Sequence, residues 1–81
     1  MSWFVYMLRC ADGTLYTGST NDVEARLHAH NFLKTGAKYT RARRPVELVY
    51  KQEVDTRSNA QKREAEVKRM SRGEKLDLLQ G

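Results

Sequence analysis

The chain has 81 residues, with 15 Lys plus Arg against 10 Asp plus Glu, a formal net charge of +5 and a sequence pI of about 9.7. That length carries one domain, 1–81, with a thin core, since a chain this small buries only about 60–65% of the surface it exposes when unfolded. No apolar run approaches the roughly 18 residues of a membrane span, the N-terminal MSWFVYMLRC lacks the pattern of a signal peptide, and the single Cys10 rules out an internal disulfide, so a soluble cytoplasmic protein is expected. The basic balance points to a polyanionic partner, with nucleic acid favoured over a membrane surface.

Residues 3–9, WFVYMLR, and the run TLYTG flank Ala11-Asp12-Gly13, which signals a β-hairpin. The loop length decides where the tyrosines go. A two-residue Asp12-Gly13 loop sets Arg9 opposite Tyr16 and sends Tyr6 and Tyr16 to opposite faces. A three-residue loop with Gly13 left-handed sets Leu8 opposite Tyr16 and places both tyrosines on one face, and this second arrangement is expected.

Asn21 reads as the N-cap of a helix over 22–32, with Glu24 at its third position. Residues 33–45, LKTGAKYTRARRP, hold five basic groups, no acid and the only proline, and read as a loop with room for one helical turn. VELVYKQEV, 46–54, alternates as a half-buried third strand. Thr56 or Ser58 opens a helix over about 59–70, with Ser58 and Gln61 in capping-box spacing. Ser71 and Glu74 repeat that spacing before a short last helix carrying Leu76, Leu78 and Leu79. The order β-β-α-β-α-α gives an α+β fold, a three-stranded, largely antiparallel sheet with helices packed on it.

A few side chains fit packing poorly. On the helix over 59–70, Ala60, Val67 and Ser71 mark the buried face, and Glu64 lies about 40° from Ala60, inside that stripe. Either Glu64 leans to the edge and pairs with Arg63 or Lys68, or it serves a function. On the first helix, Val23 and Leu27 mark the buried stripe, and Arg26 and His30, four apart, flank it. Taken alone, these two are a solvated arginine and a half-buried histidine. His28, His30 and Cys10 match no zinc spacing. Tyr39 stands among Lys38, Arg41, Arg43 and Arg44, a mixture that suits base stacking and phosphate contact as well as it suits a solvated charge run.

Val5-Tyr6-Met7 followed by Tyr16-Thr17-Gly18, then Arg26 and His30 on one helix and Glu64 on the next, resembles the GIY-YIG nuclease superfamily, and the match covers nearly all of the chain. The resemblance implies hydrolysis of nucleic-acid phosphodiesters, DNA being the expected substrate, in repair or recombination. It makes Tyr6, Tyr16, Arg26, His30 and Glu64 the catalytic set. Glu64 would hold one Mg²⁺, or another divalent ion such as Mn²⁺, and Arg26 would neutralise charge on the phosphorane. Tyr16, Tyr6 or His30 would orient or deprotonate the attacking water, His30 titrating nearest to neutrality. The grip on nucleic acid falls to Lys34, Lys38, Tyr39, Arg41, Arg43 and Arg44, with room for a protein partner that supplies specificity. The chain departs from the family pattern with Phe4 in place of a glycine, Ser19 where several members have lysine, and no Asn after Glu64. The alternative reading is therefore a non-catalytic nucleic-acid-binding or partner-binding module that keeps the nuclease fold.

Overall fold

The computed structural model describes residues 2–80. Strands β1 (Trp3–Arg9), β2 (Leu15–Thr20) and β3 (Glu47–Val54) form one antiparallel sheet in the order β2-β1-β3. Helix α1 (Val23–Phe32) and the single turn α2 (Lys38–Arg41) lie between β2 and β3 in sequence, and α3 (Arg57–Lys68) and α4 (Arg72–Gln80) follow β3. The expected α+β order holds, and the turn within 33–45 is α2.

The hairpin closes through the three-residue loop. Cys10 N–H donates to Thr14 O, Gly13 N–H donates to Cys10 O, and Gly13 has φ of 84°, which glycine adopts without the strain a side chain brings. Asp12 Oδ1 accepts from both the amide and the hydroxyl of Thr14, fixing the turn. Leu8 consequently faces Tyr16, and Tyr6 faces Gly18. Alternation then sorts the strands, with Tyr6, Leu8, Tyr16 and Gly18 on one side and Val5, Met7, Thr17 and Ser19 on the other.

Both faces are covered, so the domain has three layers. On the first side Tyr6, Leu8, Cys10 and Val46 form a buried cluster, joined by Leu27 of α1, Tyr16 and Leu48. On the other side Val5 and Met7 of β1 and Ala60 and Val67 of α3 are all fully buried. A side chain of Val or Met size contributes about 1.5–3 kcal/mol when buried in this way.

The caps show where the sequence reading was one or two residues off. Asp22, not Asn21, caps α1, its carboxylate accepting from Ala25 N–H. Thr56, one of the two caps expected for α3, accepts from Asn59 N–H, and only the bounds move: the helix covers 57–68 rather than 59–70 and Ser58 lies inside it. In each case the residue with extended backbone just before the first helical turn supplies the oxygen. Ser71 and Glu74 form the reciprocal capping box expected for α4, the amide of each bonding the side chain of the other.

The C-terminus of α1 is closed by a residue far along the chain. The Arg44 guanidinium donates to the carbonyls of His30, Ala29 and Leu33, meeting the last acceptors and the negative end of the helix with a cation. Asn31 exchanges two hydrogen bonds with the Val46 backbone and ties the same helix to the start of β3. Gly36 passes so close to α1 that a Cβ there would sit 2.5 Å from Ala29 O and 2.9 Å from His30 Cα. Both obstacles are backbone, so Gly36→Ala forces the crossing apart. The variant is expected to lose about 1–3 kcal/mol, read as a lower urea midpoint at unchanged slope.

Candidate active site

His30 organises the site. It has no exposed surface, and each ring nitrogen has a partner: Nε2 lies 2.9 Å from the Tyr6 hydroxyl and Nδ1 lies 2.8 Å from the Thr40 hydroxyl. Its ring also packs against Tyr6, with centroids 5.9 Å apart, and edge-on against Tyr16 at 5.1 Å. Tyr16 stacks in turn on Tyr39 of α2 at 6.0 Å, and the Arg43 guanidinium covers the Tyr39 ring at 3.8 Å. The tyrosines of the hairpin thus meet the histidine of α1 on one side of the sheet, as the three-residue loop requires.

Gly18 makes this meeting possible. A Cβ at that position would fall 2.5 Å from the Tyr6 hydroxyl and 2.7 Å from the ring carbon bearing it, so the tyrosine lies across the bare backbone of β2. Burial raises the Tyr6 pKa above its ordinary 10.0, and the nearby Tyr16 and Glu64 add to this, while the nearby Arg26 cation opposes it. Arg26 is half-buried and donates to Thr35 O at 3.4 Å.

Glu64 reaches the site from the other layer. Ser19 points to the α3 side of the sheet, and its hydroxyl donates to Glu64 Oε1 at 2.6 Å, while Lys68 Nζ lies 2.7 Å from Oε2. Since β2 is an edge strand, α1 and α3 bring their functional groups together around that edge. The Glu64 side chain keeps 21% of its surface exposed, enough to meet a ligand, and its Lys68 partner keeps 52%. Position 19 therefore carries a hydrogen-bond donor to the carboxylate where several superfamily members carry a cation.

His30 does not titrate near neutrality. Burial, reinforced by the charges of Arg26 and Arg44, pushes its pKa down to about 4, so the ring is neutral at physiological pH. The basic loop also divides. Arg44 is engaged by the α1 carbonyls, and Arg43 bonds Asp12 at 3.0 Å and Tyr39 O at 2.9 Å, so both hold the fold. Lys34, Lys38 and Arg41 are exposed and available to phosphate, and Tyr39 keeps 38% exposure beside Tyr16. Sequence reasoning missed Thr40, Ser19 as a partner of Glu64, and the closing role of Arg44. Thr40 had no periodicity to mark it, because α2 is a single turn.

The site thus gathers two tyrosines, an arginine, a buried histidine and a carboxylate around the β2 edge, beside a basic loop. The GIY-YIG catalytic domain pattern matches residues 2–77, and the chain belongs to the GIY-YIG family. A UPF0213 protein of Syntrophus aciditrophicus is 57% identical over 76 residues, covering 94% of this chain and 87% of its own. A UPF0213 protein of Staphylococcus epidermidis is 54% identical over 77 residues, covering 95% and 93%. The solution NMR structure of a UPF0213 protein from Bacillus halodurans superposes with TM-score 0.63 at 42% identity, covering 99% of this chain and 84% of that one. That of a protein from E. faecalis gives TM-score 0.67 at 43% identity, with the same coverage. Among the described residues no helix is long and apolar enough to cross a membrane.

The folded chain holds His30 neutral down to about pH 4, whereas an unfolded histidine protonates near 6.5. The resulting stabilisation is complete above pH 6.5 and is lost as pH falls toward 4, by roughly 3 kcal/mol. Urea unfolding at stepped pH is expected to show this loss, and His30→Gln is expected to flatten that part of the profile.

Proposed function

We propose that the protein is a metal-dependent endonuclease that hydrolyses DNA phosphodiester bonds, with a role in repair or recombination. The observation that carries this reading is the convergence of Tyr6, Tyr16, Arg26 and Glu64 around the β2 edge, all four of them elements of the family pattern. Mg²⁺ fits the donor set. A hard ion that keeps most of its waters needs one or two carboxylates, and Glu64 offers one, already facing a cation in Lys68. Mn²⁺ would serve in its place. When bound, the ion supplies Lewis-acid stabilisation of phosphate oxygens.

The remaining steps belong to side chains. Tyr16, at the rim, orients the attacking water, and Tyr6, as phenolate, accepts its proton as the water oxygen–phosphorus bond forms and the bond from phosphorus to the leaving sugar oxygen breaks, that oxygen taking a proton from solvent. Arg26 neutralises charge that grows on the phosphorane. Lys34, Lys38 and Arg41 hold the backbone of the nucleic acid without reading its bases, which leaves substrate choice to nucleic-acid shape or to a protein partner.

Because burial holds Tyr6 above its ordinary pKa, the rate of cleavage is expected to climb with pH across the neutral and mildly alkaline range without reaching a plateau. Glu64→Gln is expected to abolish Mg²⁺-dependent cleavage of a branched or nicked DNA by a factor of at least about 100 while its amide spectrum stays native. Cleavage by this variant at the wild-type rate contradicts the assignment, and cleavage of RNA alone replaces DNA as the substrate. If the wild-type chain binds and cuts nothing with any divalent ion present, the binding-module reading takes its place.

The grip has its own test. Each of Lys34→Ala, Lys38→Ala and Arg41→Ala is expected to lower the slope of log affinity against log salt by about 0.9. Arg44→Ala is expected to leave that slope intact and to lower stability instead, because its cation is committed to α1.

A further inference from the structure

We propose that Lys68 is a built-in rival of the divalent ion for Glu64: its ammonium pairs with the carboxylate in the ion-free chain and gives way when the ion binds, while Ser19 is a positioning residue that keeps the carboxylate in place through the exchange. The proposal rests on the reading above, in which Glu64 binds the ion, and adds how the chain's own cation sets the affinity of that point.

The two oxygens of Glu64 are held in different ways. Oε1 accepts the Ser19 hydroxyl at 2.6 Å, and Oε2 faces Lys68 Nζ at 2.7 Å. Ser19 is a short side chain on β2, paired with Val5 of the central strand, so its hydroxyl stays with the sheet. Lys68 is the last residue of α3 and reaches back one helical turn on a flexible four-carbon stem, with 52% of its side-chain surface in water. One contact is fixed, and the other is free to leave.

Charge makes the departure necessary. The carboxylate carries one negative charge, Lys68 one positive and the ion two, so an ion on either oxygen of Glu64 repels the ammonium already beside it. Lys68 nonetheless has a use in the ion-free chain. Glu64 keeps only 21% of its side-chain surface exposed, and the ammonium compensates a carboxylate that is partly withdrawn from water. The ion pair that the sequence offers as a purely structural account of Glu64 is in this frame part of how the site works.

Mg²⁺ titration of the isotope-labelled chain without nucleic acid, read on the Glu64 amide and on the Lys68 ammonium, tests the exchange. Both signals are expected to move with one midpoint, that of Lys68 toward the value of a free lysine. Lys68→Met is expected to raise the Mg²⁺ affinity of the Glu64 site by about two- to fivefold, the strength of a half-exposed ion pair. Lys68→Arg, which keeps the cation, is expected to stay near the wild type. Lys62→Met removes the same charge from an exposed position of α3 and is expected to change the affinity little. Ser19→Ala is expected to lower it, and Ser19→Thr, which keeps the hydroxyl, to restore it.

A Lys68 signal that stays put while Glu64 shifts, or a Lys62→Met chain that matches Lys68→Met, overturns the exchange and leaves the metal reading standing. An Mg²⁺ response at Glu64 seen only in Lys68→Met supports the exchange, and no response at Glu64 in either chain overturns the metal reading together with it. Unaltered affinity in a natively folded Ser19→Ala chain overturns the positioning role.

Discussion

A histidine with no exposed surface must find a partner for each ring nitrogen inside the protein, because an unsatisfied buried polar atom costs about 1–3 kcal/mol. In this chain the two partners are Tyr6 and Thr40, and satisfying both dictates much of the fold. Tyr6 has to stand on the α1 side of the sheet, which fixes the hairpin register and the three-residue loop. The tyrosine then crosses β2, so position 18 has to lack a side chain. The segment after α1 has to return over the ring to deliver Thr40, which brings Gly36 against the α1 backbone. One buried imidazole thus couples the hairpin, the first helix and the basic loop.

The same economy governs the charges. The stretch from Lys34 to Arg44 looks uniformly basic, yet its cations do different work. Arg44 completes the end of α1 and Arg43 clamps the hairpin turn through Asp12, while Lys34, Lys38 and Arg41 face solvent. Arg44 does not leave the electrostatics, since with burial and Arg26 it holds the histidine neutral. On the opposite layer, Lys68 compensates Glu64 where a divalent ion would otherwise do so, and Ser19 orients the carboxylate. Removing net positive charge from this face therefore changes stability, protonation and affinity by separate routes.

The fold was legible in the sequence wherever a pattern was local. The left-handed Gly13, the capping box of Ser71 and Glu74 and the alternation of VELVYKQEV each follow from neighbouring residues, and the structure has all three. The cap of α1 was displaced by one residue because Asn21 and Asp22 are chemically equivalent as caps, and only the entry angle of the chain selects between them. At the site, Glu64 stood out because a carboxylate in an apolar stripe violates a local rule. His30 and Arg44 gave no such signal. A histidine beside a helical stripe reads as half-buried until a loop ten residues away closes over it, and an arginine among arginines reads as surface until its acceptors are known. Contacts between distant segments made both assignments, and no window of sequence contains them.

The central claim is that the Glu64 carboxylate, held by Ser19 beside Tyr6 and Arg26, is the cation-binding point of a nuclease centre. Titration with paramagnetic Mn²⁺, following line broadening across the assigned spectrum, tests it most directly. The account predicts broadening centred on Glu64 and Ser19 that spreads to Tyr16 and vanishes in Glu64→Gln. Broadening centred on other carboxylates, or unchanged in that variant, would contradict it.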